Sequence, residues 1–171
     1  AFVGSLFKLK NVDVAIKALH EAFPDGNFHF DIVGSGAEES NLKSLCAELG
    51  VTDSVTFHGQ QTRDDAQKMM AKADCFVMVS TREAFGLVYV EAMSKGCVVV
   101  ATKGQGIDGV IVDGENGFLC ESESVEALAN VIRRISALSP ERLRKISHNA
   151  QKSASQLTDH NVAEFYLQKI L

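Results

Sequence analysis

The sequence predicts one α/β domain: a Rossmann-like, doubly wound parallel β-sheet of about six strands with helices on both faces. Three observations predict it. Short apolar runs alternate with stretches whose apolar residues recur at helical spacing, the pattern of βαβ units. The loops that follow the first five apolar runs each carry glycine, as expected where strands hand over to helices. With 171 residues, 46% hydrophobic and 23% charged, the chain is long enough to bury a core without disulfide staples.

The elements follow in order. The first strand is Phe2–Gly4. Asn11 is a candidate N-cap for a helix on which Val12, Ala15, Ile16, Leu19 and Phe23 share a face. Pro24-Asp25-Gly26 turns the chain into a second strand, Phe28–Val33, which ends in Gly34-Ser35-Gly36. A helix with Leu42, Leu45, Cys46 and Leu49 on one side stops at Gly50, and the third strand is Val55–His58. Residues Asp64 to Lys72 form a helix whose apolar side is Ala66, Met69, Met70 and Ala73. The fourth strand, Cys75–Val79, leads through Glu83 into another helix, and the fifth strand is Val98–Ala101. After a loop from Gly104 to Gly109, Val110–Val112 is expected as a short sixth strand. The Asp113–Gly117 turn then feeds Phe118-Leu119-Cys120. Three helices close the chain: Ser124–Leu138, Pro140–Ser155, with proline in its first turn, and Asp159–Leu171.

Composition excludes several classes. A net charge of −5 without a basic run excludes nucleic acid as the expected partner and argues against an anionic membrane surface acting through this domain. Cys46, Cys75, Cys97 and Cys120 are never in C-x-x-C spacing, so reduced, buried thiols are expected rather than zinc or disulfides. No apolar run reaches transmembrane length and no signal peptide opens the sequence. The expected compartment is the cytoplasm, and peripheral membrane association of a full-length protein is compatible with that. Ala1-Phe2-Val3-Gly4 already lies inside a strand, so the expectation is a piece of a longer protein.

In an open parallel sheet, ligands bind in the crevice beyond the carboxyl ends of the strands. The loops expected there are Gly4–Lys10, Gly34–Gly36, His58–Gln60, Thr81–Gly86 and Lys103–Gly109, two of which bring lysines. Glu83 precedes the turn Ala84-Phe85-Gly86, and the helix after it carries Glu91, with seven residues between the acids. A helix start offers unpaired N–H groups and a positive dipole to a phosphate, while flanking carboxylates accept bonds from sugar hydroxyls. That combination suits a nucleotide-sugar. Local roles compete: Glu91 could complement the helix dipole, Lys10 could be a solvated lysine, and His58 could be a packed strand-end histidine. Met69, Met70 and the Phe85 ring suit packing, and His20, His29, His148 and His160 show no pairing. Gly34-Ser35-Gly36 resembles the start of a dinucleotide fingerprint, but Glu39 stands where its third glycine belongs.

Taken together, the motifs resemble a known family: retaining glycosyltransferases of the GT-B fold, family 4 (group 1), in their C-terminal donor-binding domain. The resemblance runs from Phe2 to about Leu138. Its carriers are V-G-S-L-x-x-x-K-N at Val3–Asn11, I-V-G-S-G at Ile32–Gly36, V-T-F-H-G at Val55–Gly59 and A-D-C-F-V-M-V-S at Ala73–Ser80. E-A-F-G-L-V-Y-V-E-A-M-S-K-G at Glu83–Gly96 is the strongest, followed by V-V-A-T at Val99–Thr102 and D-G-E-N-G-F-L at Asp113–Leu119.

The resemblance implies that the whole chain, 1–171, is the donor domain, with an acceptor-binding N-terminal domain outside it. It implies transfer of a hexosyl group, with retention, from a UDP- or GDP-linked donor to a glycan or lipid-linked acceptor, without a metal or other cofactor. By position, Lys10 matches the lysine on the donor diphosphate, and Gly4-Ser5 lies in the same loop. Glu83 matches the glutamate near the hexose hydroxyls, and the backbone N–H groups of Phe85, Gly86, Leu87 and Val88 match those at hexose and phosphate. Glu91 matches the ribose acceptor, while Gly34, His58 and Gly59 lie where ribose and base are held. The lack of any Asp-x-Asp fits a metal-free mode.

Three positions depart from the family pattern. Ser5 stands where arginine is common, losing a bidentate phosphate contact whose partial replacement by Lys8 the spacing does not assure. Ala84 replaces a glycine, and Gln105-Gly106-Ile107-Asp108-Gly109 replaces G-G-I-P-E. A non-catalytic nucleotide-sugar binding or assembly module therefore stays open as a second reading.

Overall fold

Among the described residues six strands, all parallel, frame the protein: β1 (Phe2–Val3), β2 (Phe30–Val33), β3 (Val55–Gly59), β4 (Cys75–Val77), β5 (Val98–Thr102) and β6 (Phe118–Cys120). The structure is a computed structural model that describes residues 1–157. The expected helix Asp159–Leu171, with His160, lies outside the described residues.

The strands form two three-stranded blocks, β1-β2-β3 and β4-β5-β6. The blocks meet edge to edge, where Val77 N–H donates to the Ala1 carbonyl (2.9 Å) and the Ala1 amine donates to the Cys75 carbonyl (2.7 Å). Read across, the strand order is 3-2-1-4-5-6, with the reversal between β1 and β4. The loops leaving those two strands therefore flank the sheet's crevice.

Six α-helices among the described residues accompany the strands: α1 (Val12–Ala22), α2 (Glu39–Glu48), α3 (Arg63–Met70), α4 (Leu87–Ser94), α5 (Val125–Ser136) and α6 (Pro140–Gln156). Helix α1 packs against α5, and α4 against α6. Between them the sheet is covered so completely that every residue of β5 is buried, which is why it reads as an unbroken apolar run. Phe2, Phe30, Ile32, Phe76, Val99 and Phe118 are at most 1% exposed, each such side chain contributing about 1.5–3 kcal/mol of burial. Thr62, Ser124 and Ser139 cap α3, α5 and α6 by accepting from Asp65, Ala127 and Arg142 N–H groups. All four cysteines are free, and burial raises the pKa of each thiol, to about 12 at Cys75 and Cys120. No helix of the described residues is long and apolar enough to cross a membrane.

Three expectations are corrected. Val110–Val112 is not a strand; only an isolated bridge joins Asp108 and Ile111, and the sixth strand is Phe118–Cys120. The reason is Asn116, whose side chain accepts from Val112 N–H (2.7 Å) and donates to the Val110 carbonyl (2.9 Å), so that segment's backbone polar groups are satisfied inside a turn. The second strand starts at Phe30, because Phe28 N–H is held in the preceding turn by the Gly26 carbonyl. Asn11 precedes α1 but makes no side-chain cap bond.

Candidate functional site

The crevice between β1 and β4 brings together residues 73 apart in sequence: Lys10 Nζ donates to Glu83 Oε2 at 2.5 Å. Lys10 ends a short 3-10 helix, Lys8–Lys10, in the loop after β1, and Glu83 lies in the loop after β4. Their side chains are 23% and 14% exposed, so salt screens this pair less than a surface one.

Behind Glu83 the chain turns tightly into α4. Gly86 is the N-cap, with φ 74° and no side-chain cap, so the first α4 N–H groups have no partner within the helix. A Cβ at Gly86 would sit 2.5 Å from the Tyr89 ring and 3.0 Å from Glu83 Cγ. That ring cannot swing aside, because Tyr89 is 1% exposed and its hydroxyl donates to the Met78 carbonyl at 2.7 Å. The loop after β5 braces the turn from the other side. Glu83 N–H donates to the Gln105 side chain (3.2 Å), and Gly106 N–H donates to the Glu83 carbonyl (3.1 Å). The departure at Gln105 therefore touches the backbone that carries Glu83. Phe85 itself is buried, consistent with a packing role for its ring.

Glu91 faces elsewhere. It is the fifth residue of α4, beyond the first turn, so complementing the helix dipole does not account for it. Its Oε1 accepts from Arg63 Nη2 (2.6 Å) and Nε (3.0 Å), with the arginine 78% exposed at the start of α3. Glu83 and Glu91 thus engage separate partners, Lys10 from the loop after β1 and Arg63 from the start of α3.

The loops after β1 and β2 run side by side. Gly4 N–H donates to the Val33 carbonyl, Leu6 N–H to Ser35, and Glu38 N–H to Leu6. A side chain on Gly34, whose φ is 135°, would collide with the Gly4 carbonyl. Its glycine requirement is thus set by backbone packing inside the protein. Gly34 N–H donates to the Gly59 carbonyl at 2.8 Å, which ties the third loop to the second. Ser5 is exposed, and Lys8 is committed to Asp13 at 3.0 Å, a bond that raises the lysine's pKa.

His58 turns along the sheet, its Nε2 2.5 Å from Asp31 Oδ1, and His29 reaches the same oxygen at 3.2 Å. The expectation that His29 lacks a partner is corrected. Burial alone would raise the Asp31 pKa, but the hydrogen bond from His58 and the bond and charge of His29 hold it below the usual carboxylate value.

Sequence reading missed Asp31 and Arg63. Arg63 carried one usable signal, since Thr62 with Asp65 three residues later marks a helix start and places Arg63 in the first turn. Among the described residues no group of three or more His, Cys, Asp or Glu could hold a metal ion. In sum, an ammonium and a carboxylate meet beside an amide-rich helix start, an arrangement able to hold an anion and to accept bonds from hydroxyls.

Comparison with known proteins decides the family. The family model described as Glycosyl transferases group 1 matches residues 1–153. The chain belongs to this family. It is 34% identical over 137 residues to the lipopolysaccharide core biosynthesis glycosyltransferase LpsE of Rhizobium meliloti, covering 80% of this chain and 40% of that protein. The structure of HepE from Anabaena in complex with UDP-glucose superposes with a TM-score of 0.84 at 28% identity, covering 99% of this chain and 47% of that one. The C-terminal domain of the group 1 glycosyl transferase LpcC of Francisella tularensis shares the fold, with a TM-score of 0.81 at 24% identity over 91% of this chain and 83% of that one. The chain spans about a third to two fifths of the length of the curated relatives it matches. Its α/β fold with parallel strands is that of the Rossmann-like domains of this family.

Proposed function

We propose that the chain is the C-terminal, donor-binding domain of a retaining family 4 glycosyltransferase. In this reading it transfers a hexosyl group from a UDP- or GDP-linked sugar to a glycan or glycoconjugate acceptor held mainly by an N-terminal domain. The observation that carries the reading is the meeting of Lys10 and Glu83 at the strand-order reversal, beside the uncapped start of α4. As the bond from the anomeric carbon to the phosphate oxygen breaks, its electron pair stays on the leaving diphosphate. Fixed N–H groups of Gly86, Leu87 and Val88 together with the Lys10 ammonium stabilise that charge. Glu83, released from Lys10 as the lysine turns to phosphate, accepts from the hexose hydroxyls. Glu91 accepts from the ribose and exchanges Arg63 for the ligand. Gly34, His58 and Gly59 border the nucleoside end, and the similarity to HepE, solved in complex with UDP-glucose, supports a nucleotide-sugar as donor.

Isothermal calorimetry tests the reading. UDP or GDP binds the chain in the micromolar to millimolar range. Glu91→Ala weakens the nucleotide about tenfold or more, the loss expected for hydrogen bonds to a charged acceptor, and leaves inorganic pyrophosphate unchanged. Equal nucleotide affinity in wild type and Glu91→Ala removes Glu91 from the ribose. A second reading, a non-catalytic nucleotide-sugar module, is favoured by Ser5 and by the commitment of Lys8 to Asp13. Full-length protein that binds a donor yet neither transfers nor hydrolyses it would select that reading.

A further inference from the structure

Asn11 adopts the left-handed backbone conformation, with φ 51°, and is 3% exposed. Among L-residues asparagine tolerates this region best, and it commonly serves there as a turn or helix cap. Here its backbone ends the 3-10 helix Lys8–Lys10, its N–H donating to the Lys8 carbonyl at 3.1 Å, while its side chain makes no cap bond to α1. Its Nδ2 donates instead to the Val79 carbonyl at 2.8 Å and to Thr81 Oγ1 at 2.9 Å, partners 68 and 70 residues away. From the same stretch, the Leu9 carbonyl accepts from Thr81 N–H at 2.9 Å. The residues on either side of Lys10 are therefore both fastened to the segment just after β4, while Lys10 reaches Glu83 two positions beyond Thr81.

We propose that Asn11 is a positioning residue for donor binding: its amide clamps the loop after β1 to the segment just after β4 and thereby fixes the backbone from which the Lys10 ammonium reaches. This rests on the reading of Lys10 as the contact to the donor diphosphate. A lysine is a point charge on a four-carbon stem, so its placement depends on how firmly its backbone is held. Because one amide binds both Val79 and Thr81, it restrains the loop against sliding and against rotation. The left-handed turn at Asn11 then sends the chain directly into α1.

The test uses calorimetry of UDP and UMP with wild type, Asn11→Gly, Thr81→Val, Lys10→Ala and the Lys10→Ala/Asn11→Gly double variant. The readout is the ratio of UDP to UMP affinity, which isolates the second phosphate and which a general loss of stability does not move. Glycine keeps the left-handed backbone without strain and removes only the amide. Asn11→Gly lowers the ratio about tenfold, Thr81→Val about threefold, and Lys10→Ala at least as much as Asn11→Gly. In the double variant the ratio equals that of Lys10→Ala, because the clamp acts through the lysine. If Lys10→Ala lowers the ratio and Asn11→Gly does not, or if the two losses multiply, Asn11 is not a positioning residue. If Lys10→Ala leaves the ratio unchanged, the diphosphate reading of Lys10 falls, a separate result. Should thermal scans show Asn11→Gly unfolded, Thr81→Val decides, and an unchanged ratio there overturns the proposal.

Discussion

Replacing Gly86 by alanine tests whether the turn between Glu83 and α4 is as constrained as its geometry indicates. Two costs add. The left-handed backbone at φ 74° disfavours any L-residue by about 1–2 kcal/mol. The new methyl, 2.5 Å from a Tyr89 ring pinned through its hydroxyl, overpacks the site for about 1–3 kcal/mol more. Together these lower Tm by roughly 4–20 °C in a chain of 171 residues. The same methyl displaces the first N–H groups of α4, so UDP affinity falls about tenfold on the proposed reading. Gly50→Ala is the control: its φ of 70° carries the backbone cost, yet nothing lies within 4 Å of its Cβ. That variant loses only about 1–2 kcal/mol and binds UDP as wild type does. Differential scanning calorimetry with UDP titration reads both effects. If Gly86→Ala is no less stable than Gly50→Ala and binds UDP equally well, the constrained turn is not what presents the ligand's partners.

Two further outcomes follow from the ion pairs. Arg63→Ala leaves Glu91 without its competitor, so UDP binding at low salt stays level or tightens by up to about fivefold, in keeping with an exposed pair worth at most about 1 kcal/mol. A tenfold loss in that variant would instead put Arg63 on the nucleotide. Asp31, held below its usual pKa by His58 and His29, contributes stability that is present above the unfolded value near pH 4 and is lost as pH falls through the lower folded value. Asp31→Asn therefore makes the acid limb of stability shallower below about pH 4. Urea midpoints from pH 2.5 to 6 check this, and parallel curves for the two proteins would refute it.

Most of the fold was legible because burial on a helix or strand leaves a period in the chain. Val98–Ala101 reads as a central strand since both faces of β5 are covered, and Leu42 with Cys46 marks the inner side of α2. Val110–Val112 misled for the same reason. Its residues have strand character, but the Asn116 side chain satisfies their backbone, and a period of two does not report that. The turn Glu83–Gly86 was equally legible, as a glycine before an apolar helix behind an acid.

What the chain alone determined is the succession of strands and helices and the loops where chemistry gathers, because those depend on neighbours within a few residues. Tertiary structure decided which loops meet. The strand order 3-2-1-4-5-6 sets Lys10 against Glu83 and Asn11 against Val79 and Thr81, pairings that join residues 68 to 73 apart. It also turned His58 to Asp31 and Glu91 to Arg63, partners from other strands and helices. Hydrogen bonds and charges act over a few ångströms in space, whereas a sequence pattern records only which side of each element is buried.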